Sequence, residues 1–313
     1  MPGHQARPET GLPLRGFVLL ALVAFFWGID WPIIKMGVLE IPPLPYRAII
    51  FGGGGLSLFA MCMVKGYSLT VPRRLWPALL FTTACIATYQ LMQSYGVILT
   101  ASGRAAVMAY TFPVWTVLLG AFVLGEPIDW RKGGALVLGM GGMVLLLIAD
   151  VSSIGGAPIG MILMLGTALL FAVLSVAQKK TAWGAPTLVI AAWQISLSTV
   201  PMAIGAAVTD YSDVAFPSGL AIFSVVYNVF IGVAFCMWAY FEVIRLFPVG
   251  IAAISAMMTP VVGVFAGAIM LGEPLGATEF GALVLIGAAI GLPVLTRRQS
   301  WRRDQEAVDM PKP

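Results

Sequence analysis

The sequence predicts an all-α membrane protein: ten transmembrane helices in two inverted five-helix repeats, with both the N and C termini cytoplasmic. Three observations predict it. Of the 313 residues, 59% are hydrophobic and only 10% charged, with a mean hydropathy of +0.94, outside the range of water-soluble domains of this size. Lysine and arginine fall in short breaks between apolar runs, as the positive-inside rule requires. A stretch near the middle of the chain returns near its end, 147 residues later (Pro113 to Pro260).

A spanning helix takes about 20 mainly apolar residues. Apolar runs bounded by proline, glycine or charge place helices at about 16–38, 46–64, 75–99, 101–124, 131–149, 158–178, 187–208, 218–243, 249–271 and 277–296. The shortest joins, at Thr100 to Arg104 and Arg245 to Gly250, leave eight or nine spans as the alternative counts. The organisation follows: a cytoplasmic tail at 1–15, a first repeat at 16–149, a connecting loop at 150–157, a second repeat at 158–296 and a basic cytoplasmic tail at 297–313. The first run begins near Gly16, exceeds a signal-peptide core, lacks a small-residue cleavage site and contains Asp30 and Lys35, so it is expected to stay in the mature protein.

Ten spans with the N-terminus inside put 15 of the 18 basic residues on the cytoplasmic side, all but Lys35, Arg47 and Arg104, and put Asp150, Asp210 and Asp213 outside. Gly103–Leu138 aligns without a gap on Gly250–Leu285, with about half of the positions identical. Pro113 meets Pro260, Gly120 meets Gly267, and LGEP and GALVL recur in both copies. Five spans per copy is an odd number, so the second copy enters the membrane from the opposite side. Inverted repeats suit alternating access, because two equivalent halves can exchange conformations about a site near the midplane.

The composition also excludes classes of function. The single histidine, His4, lies in the polar N-terminal tail, which leaves no Ser/His/Asp, Cys/His or HExxH chemistry. Cys62, Cys85 and Cys236 are an odd set inside apolar runs, read as packing residues rather than disulfides or metal ligands. No Walker or GxSxG motif is present. The chain is therefore expected not to be an enzyme, to hold no metal and no cofactor, and to bind no nucleic acid.

The modules AxxAYTFPxWTxLLGAFVLGEP and AxxSAMMTPVVGVFAGAIMLGEP, five spans apart, resemble the EamA-type drug/metabolite transporter superfamily. The ten spans and the opening FFWGIDWPIIK are similar to its YddG-like aromatic amino acid exporters. That resemblance implies export of aromatic and other mainly neutral amino acids across a bacterial inner membrane. The partners it implies are an amino acid substrate and membrane lipid, with a monomer sufficient. Lipophilic cations or another small metabolite are the alternative cargo.

A charge in hydrocarbon costs about 2.5 to 3.5 kcal/mol on insertion scales, so buried polar residues mark candidate positions. Trp27, Trp31 and Lys35 share one stripe of the first span, with Asp30 beside them and Pro32 interrupting the helix. One reading has them border a central cavity. The other has Lys35 snorkel outward, Trp31 join the aromatic belt and Asp30 pair with Lys35. Tyr89 and Gln93 lie on one face of the third span with Gln90 alongside, either lining a wet cavity or acting as interhelical glue. Tyr110 precedes Pro113 by one turn. The second half adds Ser175, Gln178, Trp193, Asn228 and Trp238, while Glu242 reads as an ion-pair partner of Arg245. Pro113, Pro260, Gly120 and Gly267 are candidate hinges in matched spans.

Overall fold

The computed structural model describes residues 14–99, 108–148, 158–208, 216–271, 276–277, 280–289 and 292. Every regular element among them is helical. The first half holds α1 (Leu14–Val38), α2 (Pro43–Val64), a 3-10 turn (Arg73–Leu75), α3 (Trp76–Leu99), α4 (Phe112–Leu124) and α5 (Trp130–Ile148). The second holds α6 (Pro158–Lys180), α7 (Thr187–Ala207), α8 (Gly219–Tyr227), a π-helical stretch (Asn228–Phe235), α9 (Cys236–Leu246), α10 (Val249–Ser255), α11 (Met258–Leu271) and α12 (Phe280–Ala289). Because α8, the π-helical stretch and α9 are continuous, seven helical segments among the described residues are long and apolar enough to cross a bilayer.

The radial distribution of side chains is that of a protein dissolved in lipid. Phe122, Ile269, Leu56 and Phe230 stand exposed on the outside, whereas Asp30, Gln90, Gln194, Asn228 and Glu242 are buried. In water the apolar surface would be a large aggregation patch. In a bilayer it meets chemically matched tails, and the polar groups turn inward because only protein can partner them there.

Helix contacts come in pairs related by the same offset of 147 residues. α1 packs on α11 as α6 packs on α4; α3 packs on α6 as α8 and α9 pack on α1; α2 and α7, equivalent to each other, form the largest interface. The Gly52–Gly55 run of α2 makes that interface close. A Cβ at Gly55 would sit 3.0 Å from the Ser196 backbone of α7, and one at Gly54 would sit 2.7 Å from Val233 of the π-helical stretch. Small residues thus let two backbones meet where larger ones would hold them apart.

Two sequence expectations about helix shape need correction. Pro32 does not break α1, which runs through it from Leu14 to Val38. Pro113 and Pro260 do not sit mid-helix either: each lies in the first turn of a new helix, after turns at Tyr110–Thr111 and Ala256–Met257. A proline lacks the N–H that would bond four residues back and its ring crowds that carbonyl. The chain therefore tightens to i→i+3 bonds ahead of each one, Thr111 N to Met108 O at 3.2 Å and Thr259 N to Ala256 O at 3.0 Å. Gly120 packs 3.0 Å from Val249 for an added Cβ, while the surroundings of Gly267 lie outside the described residues.

Side chains tie the helix ends together. Gly125, at φ 68°, ends α4 in a left-handed turn. The next residue, Glu126, accepts the Val249 and Gly250 amides at 2.7 and 3.4 Å and faces Lys132 at 3.4 Å. Those amides are otherwise orphaned at the start of α10. Nearby, Lys179 donates to the Arg245 and Phe247 carbonyls at 3.1 and 2.9 Å. Glu242 pairs with Arg245 at 2.7 Å, as the sequence spacing indicates. At the opposite ends of α1 and α9's span, Glu40 accepts the hydroxyl and amide of Ser218, both at 2.6 Å, bonds that hold its carboxyl below the usual carboxylate range.

Replacing Glu126 with alanine strands two backbone donors. The loss should be about 1 to 3 kcal/mol of stability, read as a lower melting temperature in detergent, with Glu126→Gln recovering part of it.

Candidate functional site

The buried polar residues gather where α1, α2, α3 and the π-helical stretch approach one another. Asp30 stands eight residues before the end of α1, about 12 Å along the axis at 1.5 Å per residue. It is 7% exposed, and its Oδ1 has no hydrogen-bond partner. Arg47, one turn inside α2, donates from Nη2 to Oε1 of Gln93 on α3 at 3.0 Å. Asp30 and Arg47 are electrostatic neighbours, yet no ion pair within 4.0 Å joins them. A buried carboxylate and a part-buried guanidinium thus stand near each other and are left apart.

The wall facing Asp30 is the π-helical stretch. Helices of this kind are rare and concentrate at functional sites. Trp27, three residues before Asp30, donates its indole N–H to the Gly232 carbonyl at 3.0 Å, and the Tyr227 hydroxyl donates to the Phe26 carbonyl at 2.8 Å. Asn228 is 1% exposed and donates to the Ser224 carbonyl at 3.2 Å. A Cβ on Gly232 would lie 2.7 Å from Asn228 Oδ1 and 3.2 Å from Asp30 Oδ2, so both acceptor oxygens converge on this glycine. Behind them Tyr46 and Ser224 bond each other at 2.7 Å, and Ser224 donates to Ile33 O at 2.6 Å.

Beside this polar group lies an aromatic cluster centred on Phe171 of α6. Its ring lies 5.2 Å from Tyr240 in a stacked arrangement, 5.4 Å from Tyr89 and 5.0 Å from Phe112 edge-on, and 6.2 Å from Trp27. Trp27 and Tyr240 are 5.4 Å apart. Ser175 donates to Phe171 O at 2.8 Å and shares a 3.3 Å bond with the Tyr240 hydroxyl. The rings come from α1, α3, α4, α6 and α9, so both halves of the chain build the same apolar floor. A polar rim with separated charges over an aromatic floor suits a small ligand with a charged end and an apolar side.

The residues singled out in the sequence divide between this site and other places. Trp27, Asp30, Tyr89, Gln93, Ser175 and Asn228 are brought together. Tyr110 is buried and packs 6.4 Å from Phe112, at the edge of the aromatic cluster. Gln178 belongs to a separate buried network, accepting at 3.0 Å from Gln194, whose amide also meets Thr82 at 2.6 Å. Gln90 is buried with Oε1 unbonded. Trp193 is placed elsewhere: its indole N–H bonds Leu69 O at 2.8 Å and it packs on Phe59 and Trp76. Trp238 turns to Phe235 at 6.0 Å, away from the Phe171 cluster. The side chains of Trp31 and Lys35 lie outside the described residues.

Sequence reasoning missed Arg47, placed there toward the outer end of the second span, and Phe171, an ordinary apolar residue by composition. The signal for Arg47 was Pro42 and Pro43, since proline favours the first helical position and starts α2 earlier than hydropathy does.

A profile of the EamA-like transporter family matches residues 14–148 and again 158–295. The chain belongs to the EamA-like transporter family. Among its relatives, an Escherichia coli K12 "uncharacterized inner membrane transporter YedA" is 28% identical, covering 91% of each chain. A "probable amino-acid metabolite efflux pump" of the same strain is 25% identical over 91% of this chain and 96% of that one. The "aromatic amino acid exporter YddG" of Ancylobacter novellus is 28% identical over 51% of this chain and 56% of its own. A solved crystal structure superposes with a TM-score of 0.78 at 22% identity, covering 91% of this chain and 98% of that one, which speaks for the fold alone. As an EamA-like protein the chain is a membrane transporter by family, and its two matched segments meet at the Phe171 cluster.

Substituting Gly232 with alanine should drive Asn228 and Asp30 apart. We expect a monodisperse protein on size exclusion whose ligand affinity falls about tenfold or more; unaltered affinity would remove this glycine from the site.

Proposed function

We propose that this EamA-like protein is a secondary transporter that exports amino acids, aromatic and other mainly neutral ones, across the bacterial inner membrane by alternating access. The observation that carries this reading is the buried Asp30 carboxylate with the part-buried Arg47 guanidinium near it but not in contact, beside an aromatic floor shared by both halves. A ligand with both charges and an apolar side chain matches each part. The names of two relatives, an amino-acid metabolite efflux pump and an aromatic amino acid exporter, point the same way. In this reading the protein moves its cargo without a chemical step.

In this reading ten spans form two five-helix halves, 16–149 and 158–296, inserted with opposite polarity and with both termini in the cytoplasm. The paired helix contacts support it, because the largest contacts of one half have counterparts in the other. The breaks before Pro113 and Pro260 are the hinges, since a chain already released from i→i+4 bonding bends there at least cost. A lipophilic cation is the second reading, favoured by the unpartnered Asp30 oxygen; Arg47 in the same pocket repels such a cargo.

The test is uptake by purified protein in liposomes, with labelled phenylalanine, methionine and a quaternary-ammonium dye compared with and without a pH gradient. Amino acid flux without dye flux is expected. Dye flux alone would reverse the order of the two readings.

A further inference from the structure

We infer that Asp30 and Arg47 divide a zwitterionic ligand between them, Asp30 taking the ammonium and Arg47 the carboxylate, and that each alone sets which charged end the site accepts. The inference rests on the amino acid reading above and assigns the atoms that perform it.

The surroundings are chemically polarised. On the Asp30 side stand the unpartnered Asp30 Oδ1, and Asp30 Oδ2 and Asn228 Oδ1, which converge on Gly232; the Asn228 amide N–H is a donor beside them. An ammonium brings three donors and no acceptor, so it satisfies the free oxygen, whereas a carboxylate placed there would meet the Asp30 charge. On the Arg47 side the group is a donor. The guanidinium presents five N–H groups and the bond to Gln93 Oε1 uses one. That bond also fixes the plane of the fork, which favours two-point contact with a carboxylate.

The separation matters as much as the charges. A direct ion pair would satisfy both groups and close the pocket. Here Asp30 is buried, Arg47 is part-buried, and the two are electrostatic neighbours without contact, an arrangement that leaves the buried carboxylate under-compensated unless a third body bridges it. An α-amino acid carries its two charged ends on a single carbon and bridges the gap as a unit. Trp27 lies one turn from Asp30 and reaches Phe171 and Tyr240, so a ligand held at both ends projects its side chain onto the aromatic floor.

The experiment compares three probes of one shape: L-phenylalanine with both charges, 2-phenylethylamine with the ammonium only, and 3-phenylpropanoate with the carboxylate only. Binding is read as thermal stabilisation of detergent-purified, monodisperse protein, and flux is read separately in liposomes. The wild type should prefer phenylalanine. Asp30→Asn, which keeps the shape, should bind phenylalanine and the amine about tenfold or more weakly while holding the phenylpropanoate. Arg47→Gln should do the converse, losing phenylalanine and the phenylpropanoate while holding the amine, and Arg47→Lys should recover part of the carboxylate binding because the charge returns without the fork. Equal losses for all three probes in both variants, or a wild type that binds none of them, would overturn the assignment. The predicted binding pattern without flux would leave the assignment standing and remove the transport reading instead.

Discussion

A bilayer offers a buried charge no solvent, so every ionised group inside the bundle must be partnered by protein or by cargo. Most of the charges here obey that rule in familiar ways: Glu242 with Arg245, Glu126 with two amides and Lys132, Lys179 with two carbonyls. All of these lie toward helix ends and tie elements together. Asp30 is the departure. It is as deeply buried as the structural groups, and one of its oxygens has nothing to bond. That buried carboxylate oxygen without a protein partner is the feature on which the proposed binding site rests.

The same constraint shapes the backbone. Interruptions to helical bonding inside a membrane survive only where neighbouring protein surrounds them, and the turns before Pro113 and Pro260 lie next to residues that are buried on all sides, among them Tyr110, Phe112, Ala256 and Met257. The π-helical stretch is the third irregularity, and it lines the polar pocket. Irregular backbone, buried charge and the aromatic cluster therefore occupy one region, between elements drawn from both matched segments. The rest of the molecule is regular helix with an oily exterior. Glycines at the α2–α7 interface permit close contact between these two helices.

Much of this was legible in the sequence because hydropathy and repetition report directly on lipid exposure and duplication. The oily runs became α1 to α3 and α6 to α9 within a few residues, and the LGEP repeat aligned helices that turn out to have equivalent neighbours. The Trp27–Asp30 stripe was legible as a polar intrusion in an apolar helix. Arg47 was not, because it falls at the outer end of the predicted second span; its bond to Gln93 of α3 comes from helix packing, which the hydropathy of one span does not report. Phe171 carries no signal in one dimension, as its role comes from where α6 and α9 cross. Trp193 illustrates the reverse error. It lies next to a buried glutamine in sequence, but one position along a helix is about 100° around it, and its indole serves the loop at Leu69 instead.

The central claim is that cargo sits between the separated charges and over the rings of Trp27, Phe171 and Tyr240. The most direct measurement is a structure of the purified protein with 4-bromophenylalanine, located by the anomalous signal of its bromine. The account predicts a single peak against the Phe171 cluster, with the amino acid's backbone atoms directed toward Asp30 and Arg47. A peak on the Trp76–Trp193 side of the bundle, or only on the lipid-facing surface, would contradict it.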